Sequence, residues 1–88
     1  MNISVAFKPS AHKQFSKLSP DIRKRIAEKI DALCKNPFPF GCQKLSGEES
    51  FYRIRVGNYR VIYWVDDSET PKILILVVEI GHRREVYR

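Results

Sequence analysis

Eighty-eight residues allow one domain, taken as 1–88, and leave no length for a second. A hydrophobic share of 43% with 30% charged residues excludes a disordered chain, and the longest apolar run, Ile73 to Val78, is too short to cross a bilayer. Sixteen Lys and Arg against ten Asp and Glu give a net charge of +6, which favours a polyanionic partner through counterion release and steering. No basic-then-apolar leader opens the sequence, so a cytoplasmic protein with no membrane partner is expected.

Along the chain, Asn2 to Phe7 alternates polar and apolar residues and predicts a strand with Ile3, Val5 and Phe7 inward. Pro9 suits a first helical turn, and Ala11, Phe15 and Leu18 share one face of a short amphipathic helix. Ser19-Pro20-Asp21 is a second helix start, with a capping hydroxyl, proline at the first position and an acid at the positive end of the dipole. Ile22, Ile26, Ile30 and Leu33 form its buried stripe, and Asn36-Pro37 ends it. The two helices predict a hairpin covering one face of a sheet. Residues 36–50 read as a long loop. It is either a binding segment or a surface crossover. Phe51 to Val56, a turn at Gly57-Asn58, Tyr59 to Val65, an acidic turn from Asp66 to Pro71, and the apolar Lys72 to Ile80 read as a meander. The expected fold class is α+β, in the order β-α-α-β-β-β, with an antiparallel sheet and the helical hairpin on one face.

A two-residue turn at Gly57-Asn58 pairs Val56 with Tyr59, Arg55 with Arg60, Ile54 with Val61 and Arg53 with Ile62. Directly paired residues share a face, so Tyr52, Ile54, Val56, Tyr59, Val61 and Tyr63 are core material. The opposite face carries Phe51, Arg53, Arg55, Arg60, Ile62 and Trp64. Three guanidinium groups on one patch repel one another, which proteins tolerate mostly where an anion compensates; a plain solvated strand face is the alternative. Phe51 and Trp64 are placed either to stack on bases or to pack at the sheet edge. After the apolar strand come His82, Arg83, Arg84, Tyr87 and Arg88, a tail able to curl over the arginine face. His82 is a proton carrier near neutral pH or a structural histidine. Cys34 and Cys42 stand too far from each other and from His12 and His82 in sequence for a zinc site, so no metal and no cofactor is expected.

Tyr52-Arg53-Ile54-Arg55-Val56-Gly57-Asn58-Tyr59-Arg60-Val61-Ile62-Tyr63 followed by Glu79-Ile80-Gly81-His82-Arg83-Arg84-Glu85-Val86-Tyr87 resembles the RelE branch of the RelE/ParE toxin superfamily. Asn36-Pro37 and Lys44-Leu45-Ser46-Gly47 fit the same family, and the resemblance spans essentially the whole chain. It implies a type II toxin–antitoxin toxin that inhibits translation as a metal-independent endoribonuclease, cutting messenger RNA in the ribosomal A site by attack of the RNA's own 2′-hydroxyl. The implied partners are a RelB-like antitoxin, through which the complex binds its own operator DNA, and the ribosome with its message. The resemblance assigns Arg53, Arg55, Arg60, Arg83 and Tyr87 to catalysis and Lys44, Arg84 and Arg88 to contact with RNA or ribosome. Some members carry lysine where Arg53 and Arg55 stand. Arginine stays protonated and makes a poor general base, so that role is open between Glu79, Tyr87 and a ribosomal group. Glu79 is otherwise an ion-pair partner for Arg60, and His82 or Tyr87 is the candidate acid. Two competing readings are a ParE-like toxin that inhibits DNA gyrase without nuclease activity and a passive RNA-binding module; the basic face together with Arg83 and Tyr87 favours the nuclease.

Overall fold

Proline fixes φ near the helical value and lacks the N–H that a first helical turn leaves unused, which is why two helices begin where they do. In the computed structural model, which describes residues 2–45 and 50–82, Pro9 and Pro20 open the two helices. The elements are β1 (Asn2–Phe7), α1 (Pro9–Ser16), α2 (Pro20–Leu33), β2 (Gln43–Lys44), β3 (Phe51–Val56), β4 (Tyr59–Glu69) and β5 (Lys72–His82). Ser19 occupies the N-cap of α2 in an extended conformation, but its hydroxyl makes no capping hydrogen bond. The turn is instead tied by the Arg23 guanidinium, which donates to the carbonyls of Ser16 and Leu18 at 3.4 Å each.

The β-α-α-β-β-β order is present, with β2 as a two-residue addition inside the predicted loop. The sheet runs β1-β5-β4-β3-β2. It is mixed, because β1 pairs with β5 in parallel while the other pairs are antiparallel. Hairpin chemistry fixes the direction of β3, β4 and β5; β1 reaches its neighbour through no hairpin, so no turn residue records its direction. Lys8 extends this parallel ladder, donating its N–H to the Val77 carbonyl at 2.9 Å.

Both helices lie on one face. Ala11, Ile26, Ile30 and Leu33 meet Ile54, Val56, Val61, Tyr63, Val65, Ile73, Ile75, Val77 and Ile80 in a single core. Each fully buried Ile, Leu or Val stabilises the fold by about 1.5–3 kcal/mol relative to exposure. Tyr63 is wholly buried and donates its hydroxyl to the Pro37 carbonyl at 2.7 Å, while its ring stacks on Tyr52, which meets Phe38 edge-on at 4.9 Å. Burial, helped by the neighbouring Cys42 thiol, pushes the Tyr63 phenol well above its ordinary pKa, so it remains a hydrogen-bond donor. These contacts pin the start of the loop after α2 to the helix-covered side, while Phe40 is fully exposed.

At the β3–β4 turn Gly57 has φ +61°, a conformation that a side chain strains. The Arg25 guanidinium lies 3.3 Å from where a Cβ would sit, a contact that its flexible side chain can relax, so the backbone conformation is what favours glycine there.

Candidate nucleic-acid interface

The hairpin register is the one read from the sequence: Arg55 opposite Arg60, Arg53 opposite Ile62, Phe51 opposite Trp64. On the other side of β4, Arg60 pairs with Gly81 and Ile62 with Glu79. Between Ile62 and Tyr63 the β4–β5 register shifts, so that Tyr63 faces Val77 and Val78 is the extra residue of a bulge. The bulge decides what the site contains. Strict alternation from Ile73, Ile75 and Val77 would turn Glu79 into the core; one added residue reverses the phase. Glu79 and Gly81 then share the face of Arg53, Arg55 and Arg60, and Ile80 enters the core, 2% exposed.

The three arginines differ in surroundings. Arg55 is exposed, at the open end of the patch. Arg53 is half-buried and donates from Nη2 to the Gln43 side-chain oxygen, a contact made possible because β2 pairs Gln43 directly opposite it. Gln43 was invisible to pattern reading, since a two-residue strand has no periodicity. Arg60, expected among solvent-facing charges, is only 3% exposed. On β5 its directly paired residue is Gly81. Its Nη1 donates to the Tyr59 carbonyl at 3.2 Å, and among the described residues no buried side-chain N or O lacks a hydrogen-bond partner. A buried guanidinium cannot neutralise itself, so the site holds a fixed positive charge within a low-dielectric wall.

This burial has a consequence opposite to that of simple repulsion between paired arginines. Arg60→Ala is expected to lower stability by about 2 kcal/mol, because it removes packed stem and satisfied hydrogen bonds together. In a domain this small that lowers the thermal midpoint by about 10 °C. A melting curve that matches the unsubstituted protein would show that the guanidinium holds nothing in place.

Of the other sequence-assigned residues, Glu79 is half-buried on the arginine face, diagonal to Arg60. His82 is not brought there. It pairs with Tyr59 on the helix-covered face and meets that ring edge-on at 5.5 Å, a result of the same phase reversal. Lys44 is exposed at the sheet edge opposite Tyr52, also away from the arginine face. Arg83, Arg84, Tyr87 and Arg88 lie outside the described residues, as do Ser46 and Gly47. Among the described residues no three His, Cys, Asp or Glu side chains cluster as metal ligands, and no helix is long and apolar enough to cross a membrane.

A two-helix, five-stranded α+β domain of this topology is the fold of a class of small toxins. The family model for the ParE toxin of type II toxin–antitoxin systems, parDE, matches residues 5–87. A RelE-type toxin of Methanocaldococcus jannaschii is 31% identical over all of this chain and 98% of its own. The RelE–RelB complex of Pyrococcus horikoshii superposes with a TM-score of 0.78 at 30% identity, covering 94% of this chain and 97% of that one. A free-state mutant of the Escherichia coli toxin RelE gives 0.79 at 26% identity, covering 99% and 92%. The chain belongs to the RelE/ParE superfamily of type II toxins, with relatives of the RelE kind.

Proposed function

We propose that this toxin is a ribosome-dependent messenger RNA endoribonuclease, held inactive by a RelB-like antitoxin. The observation that carries the reading is the register placing Arg53, Arg55, Arg60 and Glu79 together on the uncovered face of the sheet. In the proposed reaction the 2′-oxygen of the message attacks the adjacent phosphorus, its proton passing to Glu79 or to a ribosomal base. The phosphorus–O5′ bond breaks, and the departing oxygen takes a proton from Tyr87. A 2′,3′-cyclic phosphate and a 5′-hydroxyl result. Arg55 and Arg53 grip the phosphate, and the enclosed charge of Arg60 stabilises the pentacovalent dianion. Lys44, Arg84 and Arg88 are proposed contacts to ribosomal RNA. A basic surface of this kind suits an acidic antitoxin segment, and the Pyrococcus horikoshii relative is crystallised with RelB.

Induction without antitoxin is expected to halt translation and leave cuts within translated codons, read by primer extension. The products should carry cyclic phosphate and 5′-hydroxyl ends, and cleavage should survive excess chelator once ribosome integrity is controlled. The name of the matching family model favours a second reading, gyrase inhibition. Intact messages together with trapped gyrase–DNA complexes select that one.

A further inference from the structure

On the uncovered face, one residue pair along from the Arg53–Ile62–Glu79 row, Phe51, Trp64 and Leu76 lie directly opposite one another across β3, β4 and β5. All three are partly exposed, and the two helices pack against the other side of the sheet. Leu74, next along β5, is partly exposed too. An indole and a phenyl ring presented beside guanidinium groups make poor core and good platform. From Arg53 to Phe51, and from Ile62 to Trp64, is a step of two residues, about 6.7 Å along a strand. That is comparable to the spacing of successive nucleotides in an extended single strand. Aromatic rings borne on a sheet beside phosphate-binding cations are how sheets hold unpaired RNA bases. Asp66, two residues on from Trp64, is turned to its own turn: the Ser68 N–H and hydroxyl donate to it at 3.0 and 2.6 Å.

We infer that Phe51 and Trp64 form a base-stacking subsite for single-stranded RNA, receiving the base next to the phosphate held by Arg53 and Arg55. The inference rests on the nuclease reading for its ligand, and its test is separate from cleavage. Trp64 is the chain's single tryptophan, so emission of the toxin excited at wavelengths that its tyrosines do not absorb reports this position alone. The probe is a 2′-O-methyl RNA hexamer, whose blocked 2′-oxygen prevents cutting, with an abasic backbone of equal length as its control. The hexamer is expected to dim Trp64 saturably, with the midpoint found by anisotropy of a labelled copy. The abasic backbone is expected to bind through the arginines and leave the emission unchanged. Trp64→Leu should weaken hexamer binding about fivefold or more while Trp64→Phe, which keeps a stacking face, stays within about twofold. Circular dichroism of both variants checks that they fold. Hexamer that fails to bind, that binds without dimming, or that dims no more than the abasic backbone overturns the inference. So does emission that responds only to an acidic antitoxin peptide. Cleavage on ribosomes without dimming rejects the subsite alone, and dimming without cleavage rejects the nuclease alone.

Discussion

Arg55→Ala is expected to slow single-turnover cleavage on programmed ribosomes by about 10²–10³-fold, the cost of removing one well-placed charge donor from a transition state. Thermal stability should be unchanged or slightly raised. Arg55 is exposed and stands directly opposite Arg60, so its removal relieves like-charge repulsion and leaves no cavity. The pair therefore differs in a way that the sequence could not distinguish: one member is exposed and the other buried, so their substitutions are expected to separate an effect on cleavage from an effect on folding. Rates are compared at saturating toxin, where weaker ribosome binding no longer contributes. A cleavage rate within a few-fold of the unsubstituted toxin would remove Arg55 from the transition state and leave it as a docking charge.

The hairpin was legible because its turn is legible. Gly57-Asn58 admits a two-residue connection, and from that one fact the whole β3–β4 register follows, down to Arg55 against Arg60 and Phe51 against Trp64. The helices were legible from their prolines and apolar stripes. Three features were not, each for a physical reason. The direction of β1 depends on which neighbour it finds, and no local residue encodes that. The burial of Arg60 is not encoded in strand alternation, which only places it on the face away from the helices. The bulge at Val78 leaves no mark in a run of aliphatic residues, yet it moves Glu79 onto the arginine face and His82 off it. Alternation counted through β5 without that extra residue assigns both acid–base candidates to the wrong sides. A run as apolar as Ile73 to Val78 reads as a central strand covered on both sides, yet Leu74, Leu76 and Val78 are only half-covered, because neither helix packs on their face.

Moving His82 to the helix side leaves the departing 5′-oxygen short of an acid. On the arginine face the described residues offer guanidinium groups, which do not give up a proton, and Glu79, which the proposed reaction uses, if at all, as acceptor. Tyr87 is the proposed source. It lies outside the described residues. Tyr87→Phe keeps the ring and removes the hydroxyl, so proton transfer predicts a loss of about 10²-fold or more, whereas base stacking predicts near-normal cleavage. Ending the chain after Arg84 should cost at least as much while the protein still folds, since the core residues Ile73, Ile75, Val77 and Ile80 of β5 are all kept. A message with sulfur in place of the bridging 5′-oxygen at the cut site decides the role. A thiolate leaves without a proton, so this substrate should be cut by Tyr87→Phe at nearly the rate of the unsubstituted toxin. A variant that remains equally slow on both messages has lost something other than the acid, and the proton must then come from the ribosome.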